Sequence, residues 1–98
     1  MTVIIKNEDP YIEGINLNKL VKLVSTPFYV YSQKSISNAY LEIKNKLKKK
    51  IFYSIKANSN QAIIAFINHL GAGADVVSIE EMQRALTAGI KPNKIIYE

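Results

Sequence analysis

The chain has 98 residues and a mass of 11.0 kDa, enough for one small domain with a modest hydrophobic core. Its hydrophobic content of 48% and charged content of 21% are ordinary for a globular protein and argue against disorder throughout, and its formal net charge is +5. The absence of cysteine excludes disulfides, thiolate metal sites and a cysteine nucleophile. No apolar run approaches the ~18 residues of a membrane span, and no signal-peptide pattern is present, so we expect a cytoplasmic protein without a membrane partner.

Two turn or cap signals organise the start of the chain. Asp9-Pro10 is a turn signal, and Asn16 can cap a helix. The apolar residues that follow Asn16 share one helical face: Leu17, Leu20, Val21 and Val24.

A strand and a second helix are predicted next. Thr26-Pro27 ends the first helix, because proline disfavours helical geometry in the residue before it. The aromatic and β-branched run 28–31 then predicts a short strand. Ser35 or Ser37 can cap the second helix, whose apolar stripe consists of Ile36, Ala39, Tyr40, Ile43 and Leu47.

From residue 51 onward, apolar runs alternate with amphipathic ones. Strands are predicted at 51–55, 75–77 and 95–97. Two helices are predicted between these strands. The first has Asn58, Ser59 and Asn60 before it and Gly71 or Gly73 after it. The second begins at the S-x-x-E pattern of Ser78 and Glu81 and is followed by Gly89 and Pro92. We expect a buried stripe of Met82, Ala85 and Leu86 on the second helix. Strand–helix alternation with short loops is typical of parallel βα units, so the sequence predicts an α/β fold.

One lysine stands where parallel α/β proteins bind ligands. Alternation along the strand places Phe52, Ser54 and Lys56 on one face, and leaves the other face for covering helices. Ligands bind at the carboxyl ends of such strands. A buried lysine there, with its pKa lowered, can form a Schiff base with a carbonyl cofactor. The alternative is that Lys56 only ends a strand in solvent.

Several ordered motifs resemble one enzyme family. The segment from Tyr53 to Asn60 resembles the cofactor-lysine motif of the fold-type III pyridoxal-phosphate-dependent decarboxylases. The resemblance covers residues 11–98 and is also carried by Tyr11–Gly14, Thr26–Tyr31, Gly71–Ser78 with Glu81 and Arg84-Ala85, and Gly89–Tyr97.

The resemblance implies a fold and a division of the chain. It implies the first portion of a pyridoxal-phosphate-binding (β/α)8 TIM barrel of the alanine racemase-like type, with the strand at 51–56 first in the barrel. Residues 1–32 would form an N-terminal segment whose strand joins a C-terminal β domain that is absent from this chain. Residues 33–98 would form the first βα units of an incomplete barrel. The family's remaining cofactor and substrate residues would lie beyond Glu98, so we expect the chain to be inactive alone.

The resemblance also implies an activity. The opening of the chain is most similar to the diaminopimelate decarboxylases of this family, which implies a carboxy-lyase that makes L-lysine and CO2 from meso-diaminopimelate. Lys56 would be both the catalytic and the cofactor-binding lysine, the cofactor would be pyridoxal 5'-phosphate, and the full-length enzyme would be a homodimer. The alternatives within the family are decarboxylases of ornithine, lysine, arginine or carboxynorspermidine.

Other candidate residues have simpler interpretations beside the functional ones. Asp75 could face the cofactor, as its counterpart does in related decarboxylases, or could fix the turn after its strand. Glu81 is explained by capping, and His69 has no second metal ligand nearby, so no metal is predicted. The lysines at 44–50, followed by aromatic residues, permit a small basic nucleic-acid-binding module as an alternative function. Lysines at a helix C-terminus are equally explained by its macrodipole, and we expect no nucleic-acid partner.

Overall fold

The computed structural model describes residues 3–98 of the chain. These residues divide into two compact units, one ending at Asn38 and one beginning at Ala39. The boundary lies inside a helix that spans Gln33–Leu47. The division at residues 32 and 33 into an N-terminal segment and barrel units stays a prediction.

The first unit opens with an antiparallel sheet that sequence analysis missed. Its strands are β1 (Ile4–Lys6), β2 (Asp9–Ile12) and β3 (Ile15–Asn16), in the order β1-β2-β3. Two-residue turns join them, and all four turn residues have positive φ: 51° at Asn7, 67° at Glu8, 51° at Glu13 and 78° at Gly14. Such turns match the twist of the flanking strands.

The turn predicted at Asp9-Pro10 is therefore wrong in position. These two residues begin β2, where Pro10 is the partner of Ile5. The chain reverses one step earlier, at Asn7 and Glu8, because those residues adopt the left-handed backbone that a two-residue turn requires.

The first predicted helix is confirmed. Helix α1 spans Leu17–Leu23, and the side chain of Asn16 accepts hydrogen bonds from the backbone amides of Asn18 and Lys19. The helix ends before Thr26-Pro27, whose peptide bond is cis.

The segment at 28–31, predicted as a strand, forms no strand in the described part of the chain. The rings of Tyr29 and Tyr31 stack with their centroids 6.5 Å apart, and Tyr29 is 89% exposed. A strand needs a ladder of backbone hydrogen bonds, and no neighbouring strand pairs with this segment. That it joins a C-terminal β domain stays a prediction.

Helix α2 (Gln33–Leu47) begins earlier than predicted. Its cap is Ser32, whose hydroxyl accepts a hydrogen bond from the amide of Ser35 at 3.1 Å and donates to the Glu13 carboxylate at 3.0 Å. Caps at Ser35 or Ser37 are therefore wrong, because both residues lie inside the helix. The cap bond itself is local, and the contact with Glu13, 19 positions away, adds a hydrogen bond to the same hydroxyl.

The second unit contains the predicted parallel sheet. Strands β4 (Phe52–Ser54), β5 (Gly73–Val76) and β6 (Ile95–Tyr97) pair in the order β4-β5-β6, and both pairings are parallel. Helix α3 (Gln61–Leu70) connects β4 to β5, and helix α4 (Ile79–Thr87) connects β5 to β6. The α/β alternation predicted from residue 51 is confirmed.

The ends of these helices follow the sequence signals. Asn60 caps α3 by accepting hydrogen bonds from the amides of Ala62 and Ile63. Gly71 ends α3 with a φ of 109°, and Gly89, with a φ of 98°, follows the end of α4. These values lie in the region that favours glycine.

One face of the parallel sheet packs against α3 and α4 to form the core. Ile64 of α3 and Ala85 of α4 are completely buried against Ala74 and Val76 of β5. Tyr53, Met82 and Ile95 pack around this cluster. The predicted stripe of α4 is only partly confirmed, because Leu86 is 43% exposed. No helix of residues 3–98 is both long and apolar enough to cross a membrane.

Candidate functional site

The carboxyl ends of the three parallel strands lie along one edge of the sheet. In the strand register, Ser54 is opposite Asp75, and Asp75 is opposite Ile96. Neighbouring residues in a parallel register present their side chains to the same face. Since Tyr53 and Ala74 face the helices, Ser54 and Asp75 lie on the face away from the helical layer.

Lys56 lies at this edge, but in a turn and not on the strand. Strand β4 ends at Ser54, and Ile55–Ala57 form a single 3-10 turn that contacts β5. The predicted strand through residue 56 is wrong at its end, because the chain turns where Ile55 inserts into the core with no exposed surface. The position of Lys56 beyond the carboxyl end of β4 agrees with the prediction.

The lysine side chain is exposed, and its predicted burial is not observed in residues 3–98. The residue before it, Ile55, is completely buried and anchors the turn. The amide of Asn58 donates to the carbonyl of Ile55 at 3.1 Å, which closes the turn. The exposed side chain of Lys56 thus extends from a backbone turn that is fixed by Ile55 before it and by Asn58 after it.

The loop between Lys56 and α3 has further anchors. The Tyr53 hydroxyl donates to the carbonyl of Asn58 at 2.8 Å, and the Asn58 side chain accepts from the amide of Asn60 at 3.0 Å. From α4, the Arg84 guanidinium donates to the carbonyl of Ser59 at 3.1 Å. Arg84 belongs to one of the motifs in the sequence, but no local pattern indicates its bond to a residue 25 positions away.

Asp75 carries an unusual buried oxygen. Its Oδ1 atom is buried and has no hydrogen-bond partner among the described residues. Buried carboxylate oxygens are expensive to leave unpaired, so such an atom is a candidate for contact with a ligand. The alternative was that Asp75 fixes the turn after β5, but this oxygen accepts no hydrogen bond from that turn. No hydrogen bond from Asp75 to that turn is observed within residues 3–98.

Glu81 and Ser78 have the structural role that the sequence predicted, with one difference. The Ser78 hydroxyl accepts from the amide of Glu81 at 3.1 Å. The Glu81 carboxylate accepts from the amide of Val77 at 3.0 Å, and not from that of Ser78 as in a standard capping box. Glu81 therefore stabilises the β5–α4 connection.

The remaining candidates lie away from this edge. His69 is exposed on α3 and stacks on Phe66 with ring centroids 6.2 Å apart. Within the described residues, no group of three or more histidine, cysteine or acidic side chains could hold a metal ion. In the lysine run, Lys46 pairs with Glu42 at 3.2 Å, and the Lys44 amine donates to the carbonyl of Lys49. This run lies at the end of α2, which precedes the amino-terminal end of β4.

A cavity of about 290 Å³ opens near the amino-terminal ends of the strands. Neither Lys56 nor Asp75 lines it, so it is separate from the candidate site. Its walls include the lysines at 44, 50 and 94, together with Phe52 and Gly73.

The residues present fit a pyridoxal cofactor. An exposed primary amine follows one strand, and an unpaired carboxylate oxygen lies on the adjacent strand of the same sheet. An amine can hold a carbonyl cofactor, and a carboxylate can face a cationic or hydrogen-bond-donating part of it. The register between Ser54 and Asp75 brings the two segments together.

Comparisons with known proteins show which family this chain belongs to. The family model described as "Pyridoxal-dependent decarboxylase, pyridoxal binding domain" matches residues 33–98. A diaminopimelate decarboxylase of Helicobacter pylori is 47% identical over 85 residues, which are 84% of this chain and 21% of that protein. The chain therefore spans about a fifth of the length of this relative.

Solved structures give the same result. The crystal structure of AQ1208 from Aquifex aeolicus superimposes with a TM-score of 0.92 at 34% identity, over 97% of this chain and 24% of that one. The structure of the Helicobacter pylori diaminopimelate decarboxylase complexed with L-lysine superimposes with a TM-score of 0.79 at 46% identity, over 84% of this chain and 22% of that one. The parallel βα units thus correspond to part of the decarboxylase barrel, and pyridoxal phosphate is confirmed as the cofactor of the family. The chain belongs to the pyridoxal-dependent decarboxylase family, within its pyridoxal-binding domain.

Proposed function

We propose that the complete gene product is a pyridoxal-phosphate-dependent amino-acid decarboxylase in which Lys56 holds the cofactor. The observation that carries the proposal is the Lys56 turn, which lies beyond the carboxyl end of β4 and contacts the strand of Asp75. Membership of the pyridoxal-dependent decarboxylase family supports the same assignment.

The residues of this chain have separate roles in the proposed reaction. The Lys56 amine would bind the carbonyl group of the cofactor and release it when the substrate amine arrives. Asp75 would contact the cofactor through its unpaired Oδ1, and so keep it against the sheet. When bound, pyridoxal phosphate supplies the electron sink that accepts the electrons of the broken bond to the carboxylate.

The proposed substrate is meso-diaminopimelate, and the products are L-lysine and CO2. The support is the similarity to diaminopimelate decarboxylases, one of which has been crystallised with L-lysine. We also propose a homodimer in the cytoplasm; light scattering on the purified gene product checks the dimer.

The test is an assay of CO2 release by the complete gene product with meso-diaminopimelate, ornithine, lysine, arginine and carboxynorspermidine. We expect release from diaminopimelate in stoichiometric amounts with L-lysine. Lys56→Ala should abolish turnover, whereas Lys91→Ala, which removes another exposed lysine, should leave it unchanged. Release from another amino acid and not from diaminopimelate would overturn the substrate. Full activity of Lys56→Ala would overturn the mechanism.

A further inference from the structure

The position of Lys56 depends on the backbone of its loop. Its side chain is exposed, and within residues 3–98 no hydrogen bond or ion pair fixes its amine. A lysine has a long, flexible stem, so the loop fixes the point from which the stem starts and thereby limits the region that the amine can reach. The groups that hold this loop therefore bear directly on the proposed function.

Two side chains from different elements hold consecutive carbonyl groups of the loop. Tyr53, on β4, donates its hydroxyl to the carbonyl of Asn58 at 2.8 Å. Arg84, on α4, donates from Nη1 to the carbonyl of Ser59 at 3.1 Å. The first contact ties the loop to the strand that precedes Lys56, and the second ties it to the following βα unit.

The arginine is itself held in place from α3. The Gln61 side chain, on α3, donates to the backbone carbonyl of Arg84 at 2.8 Å. Helix α4 is therefore hydrogen-bonded to α3 through the Arg84 backbone and to the loop through the Arg84 side chain. The ion pair observed among the described residues is Lys46–Glu42. No carboxylate of these residues pairs with the Arg84 guanidinium. The Ser59 carbonyl therefore accepts a hydrogen bond from a charged donor that no carboxylate of the described residues competes for, and charged donors form stronger hydrogen bonds than neutral ones do.

We propose that Arg84 is a positioning residue for Lys56: its bond to Ser59 fixes the loop so that the lysine amine meets the cofactor in one geometry. This inference rests on the proposed function, because it takes Lys56 as the cofactor lysine. Misplacing a reacting group by about 1 Å can reduce a rate on the order of a hundredfold, so a loop contact distant from the chemistry can affect turnover.

The test compares three variants of the complete gene product. Arg84→Met removes all donors and keeps a long side chain, and Arg84→Lys retains one charged donor. Gln83→Met is the matched control, because Gln83 is exposed, precedes Arg84 on α4 and makes no side-chain hydrogen bond within the described residues. Hydrogen exchange of the peptide covering residues 55–60 reports whether the loop is held.

We expect Arg84→Met to exchange faster at residues 55–60 and to lower kcat roughly tenfold with a small change in KM, as a positioning role requires. The pH midpoint of the bound cofactor's absorption band should shift relative to both the wild type and Gln83→Met. Arg84→Lys should lie between the wild type and Arg84→Met. If Arg84→Met does not fold, Arg84→Lys against Gln83→Met provides the comparison.

The outcomes separate this inference from the proposed function. If the wild type carries a cofactor adduct on Lys56 and Arg84→Met matches Gln83→Met in kcat, pH midpoint and exchange, the positioning role is overturned and the proposed function stands. If Arg84→Met only lowers the melting temperature, Arg84 is structural and the inference is also overturned. If the wild type carries no adduct on Lys56, the proposed function itself fails.

Discussion

Gly73 of β5 has no room for a side chain, and this makes a sharp test of the parallel sheet. A Cβ atom built on Gly73 would collide with the Lys94 carbonyl oxygen and would lie 2.8 Å and 2.9 Å from two ring carbons of Phe52. Ordinary contact between carbon atoms requires about 3.5–4.0 Å, so the ring would have to move by roughly 1 Å. The carbonyl belongs to the backbone just before β6 and cannot rotate away.

We therefore expect Gly73→Ala to destabilise the protein by about 1–3 kcal/mol, toward the upper end because backbone atoms are involved. Gly14→Ala is the control. That glycine has nothing within 4 Å of its built Cβ, but its φ is +78°, so it measures backbone strain without a clash. Urea unfolding of the complete gene product, followed by circular dichroism, compares the two. A Gly73→Ala variant that is as stable as the wild type would refute the packing described for β4, β5 and β6.

Three further predictions concern the core, a helix cap and the candidate site. Ile64 is completely buried, so Ile64→Ala should lower the free energy of unfolding by about 2–5 kcal/mol. Ile79 is 58% exposed, so Ile79→Ala should lower it by less than about 0.5 kcal/mol. Equal urea midpoints for the two variants would contradict this. Ser78→Ala should cost about 0.5–2 kcal/mol by removing the cap of α4, and Ser78→Thr should restore most of it in the same titration. Asp75→Asn should weaken cofactor retention during dialysis, measured by absorbance, and unchanged retention would argue against contact through Oδ1.

The second unit could be predicted from the sequence because its signals are local. Helices α3 and α4 begin at polar caps, Asn60 and Ser78, and each is followed at its end by a glycine in left-handed geometry. The apolar runs between these signals become the three parallel strands. The carboxyl-end position of Lys56 follows from this order alone.

The details of the site could not be predicted, because distant residues determine them. Periodicity extended β4 through residue 56, but the chain turns after Ser54 where Ile55 enters a core built mainly from α3, β5 and α4. The bond between Arg84 and Ser59 spans 25 residues and leaves no mark on local spacing. The unpaired oxygen of Asp75 is likewise a property of burial and not of sequence pattern.

The N-terminal unit was predicted less well for a related reason. Its hairpins depend on Asn7, Glu8 and Glu13, residues other than glycine in left-handed backbone geometry, which composition does not reveal. The segment at 28–31 has strand propensity, but propensity is a weak guide where no ladder partner is available. Three serines near the start of α2, at 32, 35 and 37, offer the same local cap signal, and only the structure distinguishes Ser32, whose hydroxyl also donates to Glu13 on the second hairpin turn.

The most direct test of the central claim is the site of cofactor attachment. The complete gene product is purified, reduced with borohydride, digested and analysed by peptide mass spectrometry. We expect a pyridoxyl group on Lys56, within the loop that β4 and α4 hold in place. A pyridoxyl group on another lysine, or none in a protein that is otherwise folded, would contradict the assignment of Lys56 as the cofactor lysine.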